Sequence, residues 1–366
     1  MYIEIEKSRL IKPLGLVTSV VEKRQTLPIL SNIYLELSGN TLKLTGTDLE
    51  VEISFQIENV SGEDGTCTIT ARKFHDICRS LPDSAVLKIR SDGNGAQIQC
   101  GRSRFKLQTL PADDFPSLDT KGWEERLKVP EQSIKSLLDA TSFSMAQQDV
   151  RYFLNGVLLE VRENSLRAVA TDGHRLAKSE IGIPGDGFKL RQAIIPRKAV
   201  LEMQRFLEDS DRELTLEMNP SHIRLQNETS TLTTKLIDGR FPDYETVMAQ
   251  QLNVVLDQNR AELIDVLTRT SILTNEKFRG IRLDIVDNLI SVTAHNPEQE
   301  EASDEIVTEY TGAEIDIGFN VNYLLDALKA VSSETVELRL QDSNSGCTIR
   351  DPEDEETLYL VMPMRL

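Results

Sequence analysis

The stretch that decides the organisation of this chain is Leu166-Arg167-Ala168-Val169-Ala170-Thr171-Asp172, because it occurs in three versions. The other two are Leu42-Lys43-Leu44-Thr45-Gly46-Thr47-Asp48 and Leu289-Ile290-Ser291-Val292-Thr293-Ala294-His295-Asn296, each about 124 residues away. Two further anchors repeat in the same order: 71–74, 196–199 and 320–323, then Phe115-Pro116, Phe241-Pro242 and, more loosely, Met362-Pro363. Three anchors in one order predict three homologous domains, which we place at residues 1–125, 126–250 and 251–366.

Each repeat carries the hydrophobic spacing of two one-faced helices, with alternating strands such as 34–37 and 42–44 between them. The apolar positions of the first helices are Leu10, Leu14, Val17 and Val21, then Ile134, Leu137 and Leu138, then Leu263, Val266 and Leu267. Those of the second helices are Phe74, Ile77, Cys78 and Leu81, then Val200, Met203 and Leu207, then Leu324, Leu328 and Val331. Two helices with antiparallel strands predict an α+β domain, with linkers near 111–128 and 243–254.

Composition narrows the class of protein. The 366 residues are 39% apolar, which suits two or three domains, and no apolar run reaches membrane-spanning length. Residues 1–6 lack the features of a signal peptide. The four cysteines are far apart without a CxxC pair, and the four histidines are scattered. We therefore expect a cytoplasmic protein with reduced thiols, no metal site, no cofactor and no membrane contact.

The net charge of −18 argues at first against a nucleic-acid partner. The charge is unevenly distributed, however. In six helical segments with their flanks, Lys and Arg outnumber Asp and Glu by 18 to 14, so the acidity lies elsewhere. These segments are 6–24, 71–83, 131–151, 196–208, 259–279 and 319–334. If their helices share one surface, that surface can meet phosphate, and the lack of any sequence-reading motif indicates contact with the backbone alone.

Two other functions compete at this point. Asp172 and His174, two residues apart on an extended segment, could form a catalytic pair. The corresponding positions of the other repeats do not keep the pair, so a repeated structural turn explains all three better, and no nucleophile elbow or phosphate loop is present. A repeat-built peptide- or sugar-binding protein without a DNA role is the second alternative, although 124 residues far exceed a solenoid unit.

Seven segments together resemble the bacterial DNA polymerase III beta subunit (beta sliding clamp) family, from end to end and in order. They are Leu27-Pro28-Ile29-Leu30-Ser31-Asn32, Leu44-Thr45-Gly46-Thr47-Asp48-Leu49-Glu50, Gly101-Arg102-Ser103-Arg104-Phe105, Thr171-Asp172-Gly173-His174-Arg175-Leu176, Asp238-Gly239-Arg240-Phe241-Pro242-Asp243-Tyr244, Asn275-Glu276-Lys277-Phe278-Arg279-Gly280 and the final eight residues, 359–366. The resemblance implies three tandem clamp domains, and a head-to-tail homodimer that forms a six-domain ring. It also implies a non-catalytic processivity factor that encircles double-stranded DNA. Polymerase subunits and the clamp-loader ATPase are expected to dock on it through short linear peptides.

Three sets of candidate site residues follow. For the dimer interface we expect a basic edge of repeat one to meet an acidic edge of repeat three around apolar residues: Lys73, Arg102, Arg104, Phe105 and Leu107 against Ile272, Leu273, Glu298, Glu300, Glu301 and Asp304. For DNA, matching motifs and the helix charge indicate Arg24, Gln148, Arg151, Phe153, Arg197, Lys198 and Lys235.

For the partner-peptide pocket, the resemblance implies Leu154, Thr171, Gly173, His174, Arg175, Leu176, Pro242, Val247, Asn320, Tyr323, Leu360, Val361, Met362, Pro363, Met364 and Arg365. Apolar members of this set form a slot for anchor side chains, and a few polar members orient the peptide. Thr246 stands where some relatives carry Arg, and Gly346 where some carry Ser, which leaves the polar edge of the pocket and its peptide preference open.

Overall fold

The computed structural model describes residues 1–22, 27–93, 95–118, 120–183, 190–249 and 252–365. Within these residues the helices are α1 (Lys7–Ser19), α2 (Ala71–Ser80), α3 (Glu131–Thr141), α4 (Arg197–Phe206), α5 (Tyr244–Met248), α6 (Arg260–Ser271) and α7 (Val321–Ala330). None of the helices in this part of the chain is long and apolar enough to cross a membrane. The apolar positions predicted for the six longer helices are buried or half-buried, which confirms their one-faced character.

In its described part, the first repeat contains nine strands: β1 (Tyr2–Glu6), β2 (Asn32–Ser38), β3 (Thr41–Thr47), β4 (Val51–Ile57), β5 (Ser61–Glu63), β6 (Gly65–Thr70), β7 (Val86–Ser91), β8 (Ala96–Cys100) and β9 (Ser103–Leu107). The second contains β10 (Glu125–Pro130), β11 (Gly156–Val161), β12 (Ser165–Thr171), β13 (Arg175–Gly182), β14 (Arg191–Pro196), β15 (Glu213–Met218), β16 (His222–Gln226) and β17 (Ser230–Lys235). The third contains β18 (Val254–Asn259), β19 (Gly280–Val286), β20 (Leu289–His295), β21 (Glu301–Val307), β22 (Ile315–Asn320), β23 (Thr335–Leu340), β24 (Cys347–Asp351) and β25 (Asp354–Val361).

All three repeats share one order of elements: a strand, a helix, four strands, a second helix and three strands. Among the described residues, two elements are added to this order: the short strand β5 in repeat one and the short helix α5 after the last strand of repeat two. The predicted α+β repeat is therefore confirmed. The expected linker 243–254 is wrong in part, because it holds the helix α5 and the start of β18. Asp243 is the N-cap of α5, and its carboxylate accepts a hydrogen bond from the Thr246 amide.

The strands that the structure describes form four antiparallel sheets, and two of these sheets cross repeat junctions. In one eight-stranded sheet, β4 of repeat one pairs with β17 of repeat two, in the order β10-β15-β16-β17-β4-β3-β2-β6. In the other, β13 of repeat two pairs with β25 of repeat three, in the order β14-β11-β12-β13-β25-β24-β23-β18. Both junctions follow one rule. The last strand of a repeat (β17 or β25) pairs with a strand of the preceding repeat, and this partner (β4 or β13) is the third strand after that repeat's first helix.

The remaining two sheets stay within one repeat each, with orders β5-β1-β7-β8-β9 and β21-β20-β19-β22. By compactness the chain divides into two units, residues 1–135 with 198–236, and residues 136–197 with 237–366. Each unit contains one eight-stranded sheet and one smaller sheet, so the division falls inside the second repeat. In the first unit, Gly46 permits the close approach of α1 to β3, because a Cβ there would lie 2.4 Å from the Val17 carbonyl oxygen.

Candidate functional site

The segment from Thr171 to Arg175 is a tight turn between β12 and β13. The Thr171 hydroxyl accepts a hydrogen bond from the Gly173 amide at 3.1 Å and donates one to the Arg175 carbonyl at 2.6 Å. Asp172 Oδ1 accepts from the His174 amide at 2.9 Å and from the Arg175 amide at 3.0 Å. Gly173 has a φ of +90°, a conformation that favours glycine. The carboxylate of Asp172 therefore shapes the backbone.

The same turn recurs in the first repeat. There the Thr47 hydroxyl accepts from the Leu49 amide at 3.0 Å and donates to the Val51 carbonyl at 2.9 Å. Asp48 Oδ1 accepts from the amides of Glu50 and Val51. A shared hydrogen-bond pattern without histidine confirms the interpretation as a repeated structural turn over that of a catalytic pair.

Arg175 is held by its own unit on every side. Its Nε donates to Asp172 Oδ2 at 3.1 Å, Nη1 to Asp326 Oδ2 at 2.6 Å, and Nη2 to the Phe143 carbonyl at 2.6 Å. The guanidinium also lies over the Tyr323 ring, 4.5 Å from its centre. The pKa of the Tyr323 hydroxyl is raised, mainly by burial. Arg175 thus braces Tyr323 and the turn.

Leu176, directly after this turn, belongs to an apolar cluster that combines predicted and unpredicted residues. Its buried members are Leu158, Val169, Leu176, Ile194, Phe241, Tyr244 and Leu360, with Phe153, Ile237, Met248 and Met362 packed against it. The segment that carries Met362 is held beside this cluster by backbone hydrogen bonds: the Met362 amide donates to the His174 carbonyl, and the Met364 amide to the Gly318 carbonyl, each at 2.8 Å. Apolar surface therefore lies beside a turn and a terminal segment, as in a slot for an extended peptide.

The predicted pocket residues differ in depth. Leu154, Leu176, Leu360 and Val361 are at most 5% exposed. Leu176 and Leu360 belong to this apolar cluster, whereas Val361 belongs to the neighbouring core that contains α6 and α7 residues. Exposed or half-exposed positions comprise Thr171, Gly173, His174, Pro242, Val247, Asn320, Tyr323, Met362, Pro363, Met364 and Arg365. The Asn320 side chain caps α7 by accepting from the Asn322 amide, and it donates to the Phe278 carbonyl at 3.3 Å.

The two positions singled out in the sequence have clear local roles. The Thr246 hydroxyl donates to Asp243 at 2.9 Å within the first turn of α5. Gly346 faces Leu360 and Met362: a Cβ there would lie 2.6 Å from Leu360 Cδ1 and 3.2 Å from Met362 Sδ. The absence of a side chain at Gly346 therefore lets these two apolar residues lie close to β24.

Several residues of this site were not assigned from the sequence. Phe241 and Tyr244 lie in a segment already quoted for its resemblance, and their rings pack edge to face at 6.4 Å. Asp326, the partner of Arg175, lies 151 positions away in sequence, so no local pattern indicates it. Phe278, which is 56% exposed beside Asn320, could have been noticed as an exposed aromatic residue in a matching motif.

The candidates for DNA contact in the loop 147–153 are partly engaged within the protein. Arg151 forms a bidentate pair with Asp149, with N–O distances of 3.0 and 2.8 Å, and donates to the Asp172 carbonyl at 3.2 Å. The hydrogen bond from Arg151 lowers the pKa of Asp149 to about 2. Gln148 is exposed with a φ of +56°, and Phe153 is half-buried against the apolar cluster.

The other candidates for DNA contact differ in whether carboxylates compensate their charge and in how exposed their side chains are. Lys198 forms ion pairs with Glu22 at 2.6 Å and with Asp48, so two carboxylates compensate its charge. Arg197 is half-buried and donates to the Met145 carbonyl at 3.4 Å, whereas the Lys235 side chain is exposed. Arg24 lies outside the described residues.

The candidates for the dimer interface lie at two sheet edges. Strand β9 ends the five-stranded sheet and carries Arg104, Phe105 and Leu107, all exposed or half-exposed, with Arg102 just before it. Lys73 is exposed on α2. A basic and partly apolar edge is therefore present in repeat one.

The acidic candidates lie on and beside β21, which ends the four-stranded sheet. Glu298, Glu300 and Glu301 are exposed, whereas Asp304 is half-buried and accepts from Arg269 Nε at 2.7 Å. Ile272 and Leu273 follow α6, and Ile272 is 74% exposed. No group of three or more potential metal ligands occurs in the part of the chain that the structure describes.

Three family models match the chain in order. They are the N-terminal domain of the DNA polymerase III beta subunit at residues 1–119, the central domain at 128–243, and the C-terminal domain at 245–365. Curated beta sliding clamps from Pseudomonas aeruginosa and Escherichia coli are each 45% identical to the chain, over the full length of both proteins.

Solved structures agree with these matches. The sliding clamp of P. aeruginosa bound to griselimycin has a TM-score of 0.97 at 45% identity, with complete coverage of both chains. The DNA polymerase III beta protein of Caulobacter crescentus has a TM-score of 0.93 at 36% identity, again with complete coverage. The interpretations as an enzyme and as a repeat-built sugar- or peptide-binding protein are not supported. The chain therefore belongs to the DNA polymerase III beta subunit family, the beta sliding clamps, which are non-catalytic processivity factors.

Proposed function

We propose that two copies of this chain close head to tail into a six-domain ring around duplex DNA, and that the ring tethers DNA polymerases to the duplex. The domains are residues 1–125, 126–250 and 251–366, and the protein acts in the cytoplasm. Polymerase subunits and the clamp-loader ATPase dock through short peptides on the apolar cluster of the second unit. Processivity then comes from topology, because a closed ring can slide without holding any one base pair tightly.

The observation that carries this proposal is the pairing rule at the repeat junctions. The last strand of repeat two (β17) pairs with β4, and the last strand of repeat three (β25) pairs with β13. By the same rule β9, the last strand of repeat one, would pair with β21 of another copy. Within the described residues β9 and β21 each have a neighbour on one side only. An antiparallel β9–β21 pairing between copies repeats the junction a third time and is heterologous, as ring closure requires.

The chemistry of the two edges supports this pairing. Arg102, Arg104 and Lys73 face the solvent on the repeat-one side, and Glu298, Glu300 and Glu301 on the repeat-three side. Phe105, Leu107, Ile272 and Leu273 supply apolar surface for the centre. Asp304 already forms an ion pair with Arg269 of the same chain, so it contributes less to an ion pair between copies. Exposed ion pairs of this type are worth only about 0–1 kcal/mol each, so they set orientation while apolar burial supplies the affinity.

Contact with DNA is proposed to be loose. Arg24, Gln148, Arg151, Phe153, Arg197, Lys198 and Lys235 are the candidate residues. Because Asp149 compensates Arg151, and Glu22 and Asp48 compensate Lys198, few of these cations are free to hold a phosphate strongly. Weak, salt-sensitive affinity without sequence preference is the expected behaviour of a protein that slides.

A retention experiment tests the clamp function. The protein is loaded onto a nicked circular plasmid with a clamp-loading ATPase and ATP, and the plasmid is then cut once before gel filtration. We expect the protein to elute with the circle and to separate from the linear product, because only a closed track confines a ring. Equal retention on circular and linear DNA would contradict the proposal, and a preference for one duplex sequence would do so as well.

A titration tests the peptide pocket. A synthetic peptide copying the C-terminus of the cognate replicative polymerase should bind with a Kd of about 1 μM, roughly −8 kcal/mol. The double variant Met362→Ala with Met364→Ala should abolish binding and leave the dimer intact. A truncation should begin after Val361, because this residue is 1% exposed within β25 and belongs to a core. Unchanged affinity in the double variant would place the pocket elsewhere.

A further inference from the structure

The helix α5 is too short to hold its own position. It has five residues, and isolated helices of this length are unstable in water. It nevertheless supplies the half-exposed Val247 at the rim of the pocket and the buried Tyr244 beneath it. Its placement must therefore come from contacts with the rest of the unit.

Those contacts form a polar network on one side of the helix. The Tyr244 hydroxyl donates to the Glu160 carboxylate of β11 and accepts from Arg167 Nη1 of β12 at 2.9 Å. The next residue, Glu245, accepts from Arg162 Nη2 at 2.8 Å and from Arg167 Nη1 at 3.0 Å. Arg162 also donates to Glu160 at 3.1 Å. We call these five residues the α5 network.

The inner members of the network, Glu160 and Arg167, are largely buried and each make several hydrogen bonds. The side chain of Glu160 is 2% exposed, and its second oxygen accepts from Gln192 Nε2 at 2.7 Å. Arg167 is 14% exposed and also donates through Nε to Glu180 at 2.7 Å. Burial and the bond to Glu160 raise the pKa of Tyr244 to about 12, and Arg162 lowers the pKa of Glu245. Tyr244 therefore stays protonated, and Glu245 charged, across the neutral range.

The opposite side of Tyr244 faces the apolar cluster. Its ring belongs to the same buried set as Leu176, Phe241 and Leu360, and Met248 at the end of α5 packs against that set together with Met362. Tyr244 thus connects the α5 network to the apolar cluster of the proposed pocket.

We infer that the α5 network positions α5 as one wall of the peptide pocket and so determines peptide affinity from residues that do not touch the peptide. This inference rests on the proposed pocket. Its members are positioning residues: they fix where Val247 lies, and a bound peptide then meets a wall that is already in place.

The sharpest test is Tyr244→Phe, which keeps the aromatic packing and removes only the hydroxyl that joins α5 to Glu160 and Arg167. Losing hydrogen bonds to charged partners should weaken binding of the polymerase C-terminal peptide about tenfold, mainly through faster dissociation. Amide hydrogen exchange at Thr246 and Ala249, whose amides donate to Asp243 and to the Glu245 carbonyl, should become at least about tenfold faster in the peptide-free protein. A general loss of packing would not confine this change to α5.

A second variant tests the inference independently, in case Tyr244→Phe does not fold. Glu245→Gln changes a side chain that is 60% exposed, and it weakens the hold of both Arg162 and Arg167 on α5. We expect about threefold weaker peptide binding from it. The matched control is Glu356→Gln, whose carboxylate is 62% exposed in the same unit and pairs with Lys178 at 3.8 Å; it should leave affinity and exchange unchanged.

The outcomes separate the two proposals. If the unaltered protein does not bind the peptide, the pocket is wrong, and the exchange measurement still reports on α5. If it binds, while Tyr244→Phe and Glu245→Gln keep full affinity, the positioning inference is overturned whatever the exchange rates are. If Tyr244→Phe fails to fold, Glu245→Gln compared with Glu356→Gln decides.

Discussion

The proposed interface between copies, here called the seam, consists of the β9 and β21 edges with Ile272 and Leu273. Removing apolar side chains from it tests ring closure most directly. Ile272→Ala removes three carbon atoms, worth about 2.4 kcal/mol when fully buried. Because Ile272 is 74% exposed in the single chain, about 1.8 kcal/mol of this depends on the partner. Leu273→Ala, from a half-buried position, adds about 1 kcal/mol. A closed head-to-tail dimer has two such seams, so the double variant should lose about 6 kcal/mol and raise the dimer Kd about 10⁴-fold.

The assay is sedimentation velocity over a concentration series from nanomolar to tens of micromolar. We expect monomers of the double variant at micromolar concentration, with a thermal unfolding profile close to that of the unaltered chain, since the removed atoms lie at the surface of the monomer. Val255→Ala is the matched control: this residue is 44% exposed on β18, outside the proposed seam, and should leave the Kd unchanged. A less than tenfold rise in Kd for the double variant would refute the proposed placement of the seam.

Three further predictions concern the pocket, acid stability and the thiols. Gly346→Ala puts a Cβ 2.6 Å from Leu360 Cδ1 and should cost about 1–2 kcal/mol of unfolding free energy and weaken the peptide titration, whereas Gly182→Ala, with open space around it, should do neither. Burial alone would raise the pKa of Asp351, but hydrogen bonds from Glu353, Ser333 and Ser332 lower it to about 2. This carboxylate therefore stabilises the fold above about pH 4, by about 2 kcal/mol, and loses that contribution as the pH falls towards 2. Denaturant unfolding should show Asp351→Asn destabilised at pH 7 and converging with the unaltered chain near pH 2; a gap independent of pH would contradict this. Burial raises the pKa of Cys67, Cys78 and Cys347 to about 12, so brief alkylation at pH 8 should label the half-buried Cys100 first by mass spectrometry, and equal labelling of all four would be inconsistent with the fold.

The sequence predicted the repeat and its helices well, because both leave periodic signals. Leu263, Val266 and Leu267 lie on one face of α6 as their spacing requires, and the Thr171-Asp172 turn recurs at Thr47-Asp48 because its hydrogen bonds are local. The pairing of β4 with β17 is different. It joins strands far apart in sequence, and any unpaired edge of suitable length could have competed for it.

The apolar residues of the candidate site could be assigned from the sequence, whereas the contacts of its polar residues could not. Leu176, Leu360 and Met362 lie in one cluster, which is compatible with their assignment to one pocket, whereas Val361 belongs to another core. Arg175 was expected to orient a peptide, but its ion pair with Asp326 depends on a tertiary contact that no spacing rule reveals. The helix α5 was missed because five residues are too few to show a helical period, although Asp243 and Thr246 form a local capping pair.

The sheets that cross the repeat junctions have a consequence for dissecting the protein and for its ancestry. A fragment cut at a repeat boundary separates β4 from β17, or β13 from β25, and leaves bare strand edges that favour aggregation. Single repeats are therefore poor candidates for isolated expression. The same edges offer a physical route for gene fusion: separate one-repeat chains could pair by this rule and assemble, and joining their genes would convert pairing between molecules into pairing within one.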